Sequence, residues 1–161
     1  MSLLICVSCL RRIENSVPII KHRIIDNAEL FSEHQKDSIF DLIKALDLNL
    51  GPEIGLVTID SLDGKRIEEF SLKMANELQL GRINFKDGLL LCYSKKEGLI
   101  RIEIGRGLEK VVSEDNARLI NRVDILPMCK VGKYFQGFYA GISRLKKLIE
   151  ENKKRIGQFD K

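Results

Sequence analysis

The sequence predicts an α/β fold: a three-layer α/β/α sandwich around a central mixed sheet that includes an antiparallel hairpin. Three observations carry this. Residues 88–93, Gly-Leu-Leu-Leu-Cys-Tyr, form an apolar run of strand length. Leu99 to Ile104 places Ile100, Ile102 and Ile104 on one face and Arg101 and Glu103 on the other. The short connection between these runs cannot hold a crossover, so they pair antiparallel. Upstream, Glu53 to Asp60 is β-rich and mostly apolar, as a strand covered on both faces is. Segments of helical spacing lie on either side of it, so helices cover both faces of the sheet.

Taken in order, Ser32 is an N-cap and Gln35 completes a capping box. Ile39, Ile43, Leu46 and Leu50 then recur at helical spacing, predicting a helix over 33–49 that Gly51-Pro52 ends. A strand follows over 54–59. Asp63 caps a second helix over 66–79, with Ile67, Phe70, Met74 and Leu78 as its stripe and Gly81 just past its end. The hairpin strands take 88–93 and 99–104, with a tight turn around Gly98. They lead into Gly105-Arg-Gly-Leu-Glu109. Two glycines at a strand end mark a special turn, and often a place where a ligand approaches the main chain. Ser113 opens a short helix to Val123, which Leu126-Pro127 breaks. Phe135, Phe138, Ile142, Leu145 and Ile149 mark a long helix over 134–151. The tail from Lys153 to Lys161 is expected to fray.

A chain of 161 residues is one domain with room for a real core. The division is an N-terminal leader or extension over 1–22, the folded domain over 23–152 and a basic tail over 153–161. The 27 basic and 23 acidic residues are interspersed, and only the C-terminal end from Arg144 onward is a basic cluster. Nucleic-acid binding needs aromatic residues among such charges, and only Phe159 is near, so no nucleic acid is expected. A solvated helix end explains the cluster, with an anionic membrane surface as the next reading.

Cys6, Cys9, Cys92 and Cys129 are not a disulfide framework, and Cys6-x-x-Cys9 has no second ligand pair for a metal. The apolar first ten residues are too short to span a bilayer. Leu-Ile-Cys-Val-Ser-Cys resembles the end of a lipoprotein signal, with Cys9 as the residue to be acylated. That places the protein in the cell envelope or periplasm, lipid-anchored; the alternative is an N-terminal extension on a cytoplasmic protein.

The spacing excludes several chemistries. Gly105-x-Gly107 lacks the third glycine of a dinucleotide fingerprint, since Lys110 takes that place. Asp60-x-x-Asp63 does not match a two-apart acid pair. His22 and His34 form no triad and no zinc site. What remains is carboxylates at element edges: Asp26, Asp87, Glu109 and Asp115. Each alone reads as a cap or a solvated charge. Converging, they would repel unless a cation neutralised them, and oxygen-only ligands favour calcium or magnesium. Arg106, between the two glycines, is either an exposed turn residue or a cation placed to hold phosphate.

One further pattern is the order of landmarks along the chain. They are Ile25-Asp26, Leu30-Phe31-Ser32, Val57-Thr58-Ile59, Ser61-Leu62-Asp63-Gly64, Ile67-Glu68-Glu69-Phe70 and Leu80-Gly81. Then come Asp87-Gly88-Leu89-Leu90-Leu91, residues 101–109 (Arg-Ile-Glu-Ile-Gly-Arg-Gly-Leu-Glu), Asp115, Pro127, and Gly132, Tyr134, Gly137 and Ala140-Gly141. Together these resemble the TPM domain family of small exported bacterial domains and plant thylakoid-lumen proteins, also described as phosphatases. The resemblance covers residues 23 to 150. It implies an accessory module of the bacterial cell envelope that binds calcium (magnesium as the alternative) through Asp26, Asp87, Glu109 and Asp115. Such a module acts in assembly, repair or protection of membrane complexes through a protein partner. It also leaves open a weak metal-dependent acid phosphatase using Arg106 and Glu109, and a cytoplasmic interaction domain without metal.

Overall fold

A computed structural model describes residues 23–159. Strand β1 (Ile24–Asp26) is followed by helix α1 (Glu33–Leu50), β2 (Glu53–Ile59), α2 (Ile67–Leu78), and the hairpin of β3 (Gly88–Ser94) and β4 (Leu99–Ile104). A 3-10 turn (Arg106–Leu108), α3 (Glu114–Ile120), a π-helical stretch (Asn121–Ile125), α4 (Leu126–Lys130) and α5 (Tyr134–Glu151) come next. A last 3-10 turn spans Lys153–Arg155. The expected leader over 1–22, with Cys9, lies outside the described residues.

The sheet order is β1-β2-β3-β4, with the first three strands parallel and β4 antiparallel. Strand alternation sorts the core into two layers. Leu56, Leu89, Leu91 and Ile102 face Ile39, Ile43 and Leu46 of α1 and Phe138, Ile142 and Leu145 of α5. Val57, Leu90 and Cys92 face the other way, onto Ile67, Phe70 and Met74 of α2. Helices thus cover both faces of the sheet. The two crossovers step the same way across the sheet, yet α1 and α2 lie on opposite faces. They are therefore of opposite hand, and one of them departs from the usual right-handed rule.

The α1 caps are as expected: the Ser32 and Gln35 side chains form the capping box, and Gly51 ends the helix at φ 95°. Three local expectations are corrected, and one strand is added to the expected elements. Residues 24–26 are a strand; three residues are too few to show alternation, and β1 exists because it pairs in parallel with Leu56–Thr58. Asp63 does not cap α2. It takes φ 49° in a turn with Gly64, and the helix starts four residues later behind Arg66. Leu126-Pro127 does not break the helical path, because the π-helical stretch absorbs the proline: the Leu126 N–H reaches back to Asn121, and Pro127 falls in the first turn of α4. Cys129 is consequently a buried helical residue. Residues 153–159 of the tail do not fray. Ile156 packs on the core and the Gly157 N–H donates to the Gly107 carbonyl at 2.8 Å.

Candidate functional site

The parallel strands give the sheet two chemically distinct ends. At their carboxyl ends, the chain leaves β1 toward one face and β2 toward the other. Asp26 and Thr58 are register partners at the floor of this end. The Thr58 hydroxyl donates to Asp26 Oδ1 at 2.5 Å, and the Leu30 and Phe31 amides donate to the same carboxylate at 3.0 Å each. Three donors leave Asp26 one acceptor direction of about four. Asp26 thereby pins the loop into α1.

Beside this floor, Glu97 reaches from the β3–β4 turn across to the loop after β2. It accepts from the hydroxyls of Ser94 and Ser61 and from the Leu62 amide. These bonds, the Ser94 bond foremost, hold its carboxyl below the usual carboxylate range. Lys95 bridges to the Ala28 carbonyl at 3.3 Å. The carboxyl end is thus a ring of short polar links among three loops.

The amino end is built by backbones in near contact. A Cβ on Gly105 would lie 2.3 Å from the Lys86 carbonyl oxygen, and one on Gly107 only 1.7 Å from the Phe85 carbonyl oxygen. Gly105 N–H donates to Gly88 at 2.8 Å and Gly107 N–H to Lys86 at 3.0 Å. The Gly-x-Gly pair is required because the protein's own loop approaches it. Asp87, fully buried, is sealed at this end by Arg82, which donates from its backbone (2.8 Å), its Nε (2.9 Å) and its Nη2 (2.5 Å). Arg23, also buried, joins Asp47 at 3.1 Å to Glu53 at 2.6 Å. The second Glu53 oxygen accepts from the Gly81 amide at 2.8 Å.

The four acids are therefore not one donor set. Asp26 and Asp87 stand at opposite ends of the parallel strands, and Asp87 is closed off by Arg82. Glu109 is exposed beyond the amino end. Asp115 lies in the first turn of α3, 3.5 Å from Arg118. The expectation that they converge is corrected by strand direction: an acid that follows one parallel strand and an acid that precedes another cannot meet. Among the described residues, no group of three or more His, Cys, Asp or Glu side chains is arranged to hold a metal. The structure does bring Arg106 and Glu109 together, on the wall of a pocket of about 450 Å³ that Lys86 and Lys110 also line. Burial pushes the Cys92 thiol up to about 12 and the Cys129 thiol to about 11, so neither is a nucleophile at neutral pH.

A concavity of about 950 Å³ is a groove along α2 and the 79–83 loop at the amino end of the sheet. Leu72, Leu78, Leu80, Ile83 and Gly105 line it. Its acids are already engaged: Glu53 as above, and Glu103 with the Ser71 hydroxyl at 2.6 Å and Arg101 at 3.1 Å. The groove offers mostly apolar surface, with the Lys86 cation on its rim.

Residues 24–148 match the family model of the TPM domain. The chain belongs to the TPM domain family. Among curated proteins no sequence matches it. Solved structures share the TPM fold seen here. The N-terminal domain of a protein from P. gingivalis superposes with a TM-score of 0.76 at 22% identity, covering 89% of this chain and 94% of that one. The BA42 protein of the psychrophilic bacterium Bizionia argentinensis gives 0.66 at 19% identity, over 76% and 83%. The N-terminal domain of the cg2496 protein of Corynebacterium glutamicum gives 0.59 at 12%, over 77% and 76%. At these identities the likeness is one of fold.

Reading the sequence alone missed Thr58, Ser61, Ser94 and Glu97 at the carboxyl end, and Arg82 as the partner of Asp87. A signal existed for three of them: Ser94 and Glu97 are three apart around the hairpin turn, and Arg82 brackets one loop with Asp87. The Asp26–Thr58 pair had none, since 32 residues separate them.

Proposed function

We propose that this TPM domain is a binding module of the bacterial cell envelope that acts on a membrane protein or membrane complex, in its assembly, repair or protection. The observation that carries this reading is the apolar groove of about 950 Å³ beside α2. Its acids are already paired and its surface is mostly apolar, so its chemistry suits apolar side chains of a polypeptide better than a charged small substrate. The four acids do not fit calcium or magnesium as one donor set. Photocrosslinkers at Leu72 and Gln79, on the groove, should trap one and the same membrane protein in cells. A crosslinker at Lys133, on the α4–α5 turn, should not. Equal trapping from all three positions, or none from the groove, removes the reading.

A second reading, a weak metal-dependent acid phosphatase, is favoured by one observation: Arg106 and Glu109 share a pocket wall with Lys86. In that case Arg106 and Lys86 hold a phosphoryl group and Glu109 positions water. Hydrolysis of an aryl phosphate should then fall about 10²-fold or more in Arg106→Ala and Glu109→Gln. Activity indifferent to both, and lost on further purification, excludes it.

A further inference from the structure

The amino end of the sheet carries an exposed apolar tip inside a ring of cations. Ile83, at the crest of the loop after α2, is 91% exposed, and Phe85 and Phe159 are 40% and 46% exposed beside it. These residues belong to one surface. Ile83 and Phe159 line the same pocket, and a Cβ on Gly157 would lie 2.7 Å from the Phe85 ring. The Arg82 guanidinium stacks on that ring at 3.9 Å while it neutralises Asp87. The Gly157–Gly107 hydrogen bond and the 3.4 Å bond from Arg155 to the Lys110 carbonyl tie the C-terminal segment to the same end.

Around the tip stand Lys86, Arg106 and Lys110 on the pocket wall and Arg155 bonded to the Lys110 carbonyl, with Glu109 as the acid on that wall. Exposed large apolar side chains scattered singly carry no message, but a cluster rimmed by charge of one sign marks an interaction site. Apolar residues on a loop crest within a cationic ring are complementary to an anionic bilayer. The side chains enter the acyl boundary while lysine and arginine meet the headgroup phosphates. We propose that this face docks on an anionic lipid membrane, with Ile83 and Phe159 inserted and Lys86, Arg106 and Arg155 on the phosphates. The proposal rests on the membrane setting of the reading above and shares Ile83 and Lys86 with the rim of its groove, but not Leu72 or Gln79. Failure of the Leu72 crosslink leaves vesicle binding untouched, and the reverse also holds.

The test is flotation of the full chain with vesicles of phosphatidylcholine alone and of an equimolar mixture with phosphatidylglycerol, at low and high salt. Binding should require phosphatidylglycerol and weaken with salt. Lys86→Glu and Arg106→Glu should each lower the partition coefficient by about fivefold or more. Ile83→Ser should lower it at unchanged salt dependence, and Glu109→Gln should raise it. Lys133→Glu is a control: it lies before the first residue of α5, whose other end meets the docking face, about 27 Å away along the helix axis. Because Ile83 touches almost nothing, Ile83→Ser keeps the fold, which a matching melting curve verifies. Three results overturn the proposal: equal or absent binding to both vesicle types, Lys133→Glu weakening binding as much as Lys86→Glu, and indifference to Ile83→Ser. Displacement by inorganic phosphate beyond the effect of matched chloride also overturns it, in favour of a small-anion pocket.

Discussion

Replacing Gly107 by alanine tests how the amino end is built. The residue has no positive φ, so its backbone conformation suits any L-amino acid. The obstacle is the Phe85 carbonyl oxygen, 1.7 Å from where the methyl would sit. Relief needs the two backbones to part by more than 1 Å, roughly the gap to ordinary contact distance. That motion breaks the 3.0 Å bond from Gly107 to Lys86 and the 2.8 Å bond from Gly157 to Gly107. Two hydrogen bonds at about 1 kcal/mol each, with overpacking of about 1–3 kcal/mol, give a loss of about 4 kcal/mol. In urea, with a slope of about 2 kcal/mol per molar, the midpoint should fall by roughly 2 M. Gly132 supplies the contrast: it has φ 73° and open space where its Cβ would go. Gly132→Ala should cost only the left-handed penalty of about 1–2 kcal/mol. Equal midpoints for the two variants would refute the claim that close backbone approach, and not a ligand, demands glycine at 107.

Two further outcomes follow from the ionised side chains. Arg82→Ala leaves the Asp87 carboxylate buried without its counter-charge and should cost about 3–5 kcal/mol. Asp87→Asn should lose the same stability with and without millimolar calcium, whereas calcium-dependent stabilisation abolished by Asp87→Asn would show that Arg82 is not its main partner. Glu97 has a folded pKa below its unfolded one, so its contribution is present above the ordinary carboxylate range and disappears as pH falls through the lowered value. Wild type and Glu97→Gln should therefore differ in melting temperature at neutral pH and converge in acid; a constant difference across that range would refute this.

Much of the fold was legible because its signals are local. The capping box at Ser32 and Gln35, the stop at Gly51, the alternation in Leu99–Ile104 and the short hairpin connection each lie within one element. The errors fall where one part of the chain answers to another. β1 is a strand only because Leu56–Thr58 offers it a parallel partner, and α2 starts at Ile67 because the turn at Asp63 and Gly64 delays it. Pro127 is tolerated because the preceding π-helical stretch has already shifted the hydrogen-bond register. The tail is held by long-range bonds to the Gly107 and Lys110 carbonyls and by the packing of Ile156.

The candidate site shows the same division. From the residues alone the chain determined its family, its α/β class, the elements that flank the sheet, and the residue types at the element edges. Glycine at 105 and 107 was visible, but what approaches it was not: the tertiary structure shows it to be the 85–88 backbone. Which acids meet was also decided only in three dimensions. Strand direction is a property of pairing, and it separates Asp26 from Asp87 by the length of the sheet. The hands of the two crossovers place α1 and α2 on opposite faces, so the loops after β1 and β2 part on either side of Asp26 and Thr58. The cations around Ile83 come from three segments brought together by three backbone carbonyls, those of Lys86, Gly107 and Lys110. A sequence records charge and periodicity along one line, whereas a binding surface is set by what lies close in space after the chain has folded back on itself.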